Sequence, residues 1–243
     1  MTTETATSIF RQGRRRGWWR AWLILLLPLL LLFALSIGYG AYLIRVEGVE
    51  PADISDRVGP AVPFIMLANH TILLLIVLWF VRLDGLRLSD IGWRAPQGAG
   101  REIIIGVAAA FLIFVAHQYV VSPIVANAMT ATGAPDLRLA SRSNPLGSNL
   151  LLALLTGVWG GGVVEETLYR GYALTRLSER MPTALAAAAM LIFFCLLHAA
   201  LGLSGMIIAT STGLMLTLLF IWRQSLIAPM IAHAGVNILV LVL

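Results

Sequence analysis

Glu165 and Glu166 are adjacent carboxylates at the end of the nearly unbroken apolar run 150–164, and Arg170 follows one helical turn later. A carboxylate can act as general base and take a proton from water. Glu166 and Arg170 are four residues apart, the spacing at which two side chains meet on one helix face. Glu165 lies about 100° further round an α-helix. It is less well placed to reach the arginine. The spacing therefore divides the labour: Arg170 holds Glu166, and Glu165 is left free. Two further groups lie downstream, Phe194-x-x-x-His198 and His233-x-x-x-Asn237. His233 and Asn237 share one helix face. An imidazole and an amide side by side can hold the oxyanion of a tetrahedral intermediate. The same set also suits Zn²⁺, which lowers the pKa of its bound water, with Glu165, His198 and His233 as candidate ligands. No H-E-x-x-H occurs, so a metal would draw its ligands from three separate segments.

The elements that must position these groups are membrane helices. Of 243 residues, 59% are hydrophobic and 12% charged, against about 25% charged in an ordinary soluble domain. After Arg180 the only charged side chain is Arg223. A spanning helix needs about 20 predominantly apolar residues. Seven runs qualify, at 21–44, 61–81, 102–121, 149–170, 183–201, 205–222 and 225–243. The chain therefore reads as an all-α, polytopic transmembrane bundle of seven spans. The long loop 122–148 has room for an eighth span, or for a short interfacial helix at 125–132. The start of the chain is not a cleavable signal peptide, because its apolar run is too long and no small-residue cleavage site follows it. Residues 1–20 form a basic tail and residues 21–243 one membrane domain, with the candidate catalytic core at 149–243.

The net charge is +5, and every basic residue is arginine. The arginines stand in the tail and between apolar runs. That is a topology signal, not a nucleic-acid-binding face. Arg11–Arg20, the group Arg82, Arg87, Arg94 and Arg101, and Arg176, Arg180 and Arg223 all fall on one side of a seven-span bundle. That side is expected to be cytoplasmic, together with the N-terminus. Pro182 should turn the chain between the fourth and fifth spans. Glu165 and Glu166 lie about 16 residues before this turn and His198 about 16 after it. At about 1.5 Å per residue they meet at one level, and a shared polar cavity is expected there. Gly157, Gly160, Gly161 and Gly162 permit close helix approach. His70 beside Asn69 and His117 beside Gln118 read as packing or water-cavity residues. Tyr169 and Tyr172 read as interfacial belt residues, and Gly202–Gly205 as the turn between the fifth and sixth spans. The single cysteine, Cys195, reads as helix packing.

Glu165-Glu166-x-x-x-Arg170, Phe194-x-x-x-His198 and His233-x-x-x-Asn237, in that order and each inside an apolar span, resemble the three motifs of the CPBP intramembrane protease family. That family includes the CAAX prenyl endopeptidases and Abi-type relatives linked to bacteriocin self-immunity. The resemblance spans 149–243. It implies a membrane-embedded endopeptidase, usually classed as a metalloprotease, with Glu165, Glu166, Arg170, His198, His233 and Asn237 at its site. Zinc or a metal-free, glutamate-activated water are both compatible with that set. The implied partners are a membrane-associated peptide or protein and the lipid bilayer, with no nucleic acid. The implied location is the bacterial cytoplasmic membrane. Two other readings stand beside it: a proton-coupled transporter or channel that uses the buried Glu/His set as a relay, and a non-catalytic immunity or scaffold protein of the same fold.

Overall fold

In hydrocarbon every backbone N–H and C=O must be satisfied internally, and a helix does this within a single segment. The computed structural model describes residues 9–10, 17–132 and 150–242, and within them seven helices account for the apolar runs. They are α1 (Arg20–Arg45), α2 (Pro51–Leu83), α3 (Ala99–Ala131), α4 (Leu150–Leu177), α5 (Thr183–Leu197), α6 (Gly202–Arg223) and α7 (Ile227–Val242). Five apolar helical runs, 20–45, 51–83, 99–131, 150–177 and 199–223, are long and apolar enough to cross a membrane. The helices α5 and α7 are apolar but shorter. No strand occurs among the described residues. Most of the basic tail and the segment that would hold an eighth span lie outside the described residues.

Several boundaries depart from the periodicity. Pro51, Gly59 and Pro60 lie ahead of the apolar run 61–81, yet they belong to its helix. They sit in short 3-10 turns that run directly into α2, because proline is tolerated in a first turn, where its N–H is not needed. Residues 125–132 are not a separate interfacial helix but the end of α3. The helix passes Pro123 by way of a wide i→i+5 turn at His117–Val121. A proline ring crowds the carbonyl four residues earlier, and the wide turn opens the helix at that carbonyl. The turn before α6 falls at 198–201, and Gly202 already begins the helix. The turn before α5 lies at 178–182, with Pro182 at the N-cap.

The arginine-rich ends of the helices meet at one end of the bundle. Asp84, which follows α2 and has a fully buried side chain, accepts from Arg20 of α1, pairs with Arg176 of α4 at 3.1 Å and accepts the Tyr172 hydroxyl at 2.7 Å. Arg223 of α6 donates to Glu102 of α3 at 2.6 Å and to Gln97 at 2.9 Å. The segment between α2 and α3 docks on the α6–α7 turn, with Leu226 N–H donating to the Gly92 carbonyl at 2.7 Å. Gly92 makes this possible. Its φ is +95°, and a Cβ there would lie 2.7 Å from the Phe220 ring. The core between α1, α2, α4 and α5 is filled by Ile24, Leu73, Val77, Leu168, Met190 and Phe194. The outer surface remains apolar, as at Ile104, Phe111, Leu112 and Trp222, which is what a lipid-facing surface requires.

Topology follows from this shared end. Reporter fusions at Ser55 and Gln97 are expected to report opposite faces of the membrane, with Gln97 on the cytoplasmic face. Both reporters on one side would overturn the helix count.

Candidate active site

The site is built on α4, whose middle is not α-helical. Thr156–Leu174 forms i→i+5 hydrogen bonds. Its glycines weaken the ordinary helix preference. Threonine hydroxyls add bonds back to carbonyls four residues earlier, Thr156 to Leu152 at 3.0 Å and Thr167 to Val163 at 2.7 Å, a habit that perturbs regular helices. A wider turn brings residues five apart toward one face. That register governs everything built on α4.

Glu166 is fully buried. Its Oε1 accepts from Arg170 Nη1 at 2.9 Å and from His233 Nδ1 at 2.8 Å. Arg170 is equally buried, and its other donors are used as well. Nη2 donates to the Gly213 carbonyl at 2.8 Å and Nε to Thr217 Oγ1 at 3.3 Å. The guanidinium lies 4.9 Å from the centre of the Phe194 ring. Phe194 also meets Tyr169 edge-on at 5.2 Å and the His198 ring at 4.7 Å. The first residue of the second motif is thus the surface against which Arg170 and His198 are seated. Its place level with Tyr169 and Arg170 agrees with the antiparallel match about the Pro182 turn.

Glu165 differs from its neighbour. Its side chain is 13% exposed, and its Oε1 lies 3.3 Å from His70 Nε2. His233 and His198 are within electrostatic reach of the same carboxylate. His198 ends α5, where its Nδ1–H donates to the Phe194 carbonyl at 2.8 Å. A neutral ring so bonded carries its lone pair on Nε2. Asn237 Nδ2 donates to the Gly157 carbonyl at 3.0 Å. The close approach of α7 depends on Gly161: a Cβ there would lie 2.6 Å from Asn237 Nδ2 and 3.2 Å from His233 Nε2. Both nitrogens therefore face the same bare stretch of backbone.

The structure joins Glu166, Arg170 and His233 directly, and sets Asn237 beside His233. No hydrogen bond joins His198 to the other candidates among the described residues. His70, expected as a packing or water-cavity residue, lies against Glu165. Its signal was depth, since an ionisable side chain in a span is by default a functional candidate. His117 instead meets Ser211 and Thr212 of α6, at 3.0 and 3.3 Å. Tyr169 and Tyr172 are not belt residues. They are buried on the inward face of α4, 1% and 0% exposed, because the helix turns that face to the core. Among the described residues no three His, Cys, Asp or Glu side chains are gathered to hold a metal ion. His233 gives Nδ1 to Glu166 and His198 gives Nδ1 to the Phe194 carbonyl, so Nε2 is the nitrogen either ring would offer to a metal.

Arg170→Ala leaves the Glu166 carboxylate buried without its guanidinium, a loss of about 3–5 kcal/mol. Thermal unfolding in detergent should show a large drop for Arg170→Ala. The added change Glu166→Gln should recover part of it. An unchanged midpoint for Arg170→Ala would mean that the pair contributes nothing to folding.

No curated protein and no solved structure matches the chain. Residues 147–239, which carry all three motifs, match the family model described as Type II CAAX prenyl endopeptidase Rce1-like.

Proposed function

We propose that the protein is an intramembrane endopeptidase that cleaves membrane-associated peptides with a glutamate-activated water. The supporting observation is the unequal treatment of two neighbouring carboxylates. Glu166 is sealed and neutralised by Arg170 and His233, whereas Glu165 is partly exposed and faces imidazoles. A structural ion pair needs only one carboxylate. The second is left with the properties of a base.

In this reading Glu165 takes a proton from a water, and the resulting hydroxide attacks the scissile carbonyl. His198, whose Nε2 is not committed to Phe194, orients that water. His233 gives Nδ1–H to Glu166 and, when doubly protonated, offers Nε2–H as well, and Asn237 presents the amide hydrogen not given to Gly157. These two donors hold the oxyanion over Gly161. Collapse of the intermediate returns the proton from Glu165 to the leaving amine. The family model's description points to prenylated CAAX peptides as the first substrates to try. A proton relay would not need two donors converging over one bare glycine, and this favours the hydrolase over the transporter or channel.

Purified protein in proteoliposomes should cleave a quenched fluorescent farnesylated CAAX peptide. Glu165→Gln should abolish cleavage and leave the protein monodisperse. Full activity of Glu165→Gln with loss in Glu166→Gln would reverse the two roles, and full activity in both would sink the mechanism. Chelation should leave the rate unchanged; loss on chelation with recovery on adding Zn²⁺ would establish a metal enzyme. Gly161→Ala should lower kcat by about 10²-fold or more, the cost of displacing oxyanion donors. An unaltered kcat would remove His233 and Asn237 from that role.

A further inference from the structure

His70 lies on α2, outside the matched residues 147–239 and outside the three motifs. It is 5% exposed and sits within an apolar span. Its Nδ1 is 2.7 Å from the Met66 carbonyl oxygen. A carbonyl only accepts, so Nδ1 carries a proton and the ring orientation is set by its own helix. The other nitrogen, Nε2, is thereby directed at Glu165 Oε1, 3.3 Å away; a carboxylate also only accepts, so the contact is a hydrogen bond when the ring is protonated on both nitrogens.

The opposite helix is shaped to receive this ring. A Cβ on Gly160 would lie 2.8 Å from His70 Cε1 and 2.9 Å from Nδ1, distances that no ordinary contact allows. Gly160 and Glu165 are five residues apart, within the stretch of α4 whose hydrogen bonds run i→i+5. One imidazole can therefore lie on the bare backbone at Gly160 and still reach the carboxylate one wide turn along. The same register recurs one residue later, where His233 lies over Gly161 and bonds Glu166. Each glutamate thus has its own glycine and its own histidine, from α2 and α7 respectively.

We propose that His70 is a positioning residue for Glu165. With both ring nitrogens protonated, it donates Nε2–H to Oε1 and fixes the carboxylate so that Oε2 addresses the water, and the N-terminal half of the chain thereby completes a site whose motifs lie in the C-terminal half. This inference rests on Glu165 being the base of an endopeptidase. A positioning contact is needed in the transition state and not for substrate binding, so its loss lowers kcat and leaves KM in place.

The test uses the full-length protein in proteoliposomes and the same quenched farnesylated CAAX peptide. Wild type and Glu165→Gln serve as references. His70→Leu should lower kcat by about 10–100-fold, the usual effect of losing an orienting partner, with KM unchanged. His70→Gln retains a donor at the same reach and should recover much of the loss. Gly160→Ala keeps every polar side chain but displaces the ring, so it should reproduce the defect. The double change His70→Leu with Gly160→Ala should add little, because both act through one contact. Size-exclusion profiles should match wild type. Three results would overturn the proposal: wild-type kcat in His70→Leu, a change confined to KM, or His70→Gln as impaired as His70→Leu, which would mean that only the ring's packing mattered. If wild type fails to cleave the peptide, the endopeptidase reading falls and this proposal with it. If wild type cleaves and Glu165→Gln does too, the protease stands and both the base and its positioning residue are wrong.

Discussion

A carboxylate sealed inside an apolar bundle must be neutralised, and at Glu166 that requirement organises the whole C-terminal half. Arg170 comes from the same helix, but a buried guanidinium has its own donors to satisfy. Those donors reach the Gly213 carbonyl and the Thr217 hydroxyl on α6, and the cation rests on the Phe194 ring of α5. His233 closes the other side from α7. One buried charge therefore ties together four helices. It also explains why the second motif includes a residue with no evident chemistry of its own: Phe194 is a surface for the arginine. Outside the motifs, Gly213 lets α6 come within reach of it.

The second organising feature is the wide turn of α4. In a regular α-helix, residues five apart point in different directions. In the stretch Thr156–Leu174 they come toward one face. The glycines at 160 and 161 are thereby aligned with the glutamates at 165 and 166, and two imidazoles from flanking helices can each span a glycine–glutamate pair. Glycine here serves close approach more than flexibility. The outcome is a pair of adjacent carboxylates with different surroundings, one locked and one left partly open. Such separation of environments is how neighbouring titratable groups acquire different tasks.

A third constraint acts at the arginine-rich end. Asp84 gathers Arg20, Arg176 and Tyr172, and Glu102 gathers Arg223. These clusters fix how α1, α2, α3 and α6 stand around α4. They use the residues that the topology signal is made of, so the same arginines mark an end of the bundle and bind it together.

Much of this was legible in the chain itself. The apolar runs specified an all-helical membrane protein, because a hydrocarbon solvent leaves few alternatives. The spacing Glu166-x-x-x-Arg170 already contained the central ion pair, and Pro182 already marked the hairpin that sets α5 beside α4. Those features are local, and local sequence encodes them. The partnership of His70 with Glu165 was not legible, since it joins residues 95 positions apart and depends on a helical register that glycine-rich sequence permits but does not dictate. The inward face of Tyr169 and Tyr172, and the unbroken course of α2 and α3 past their prolines, were likewise decided by packing. A bond four residues long is written in the sequence. Which histidine reaches which glutamate is decided only when α2, α4 and α7 are pressed together over bare backbone.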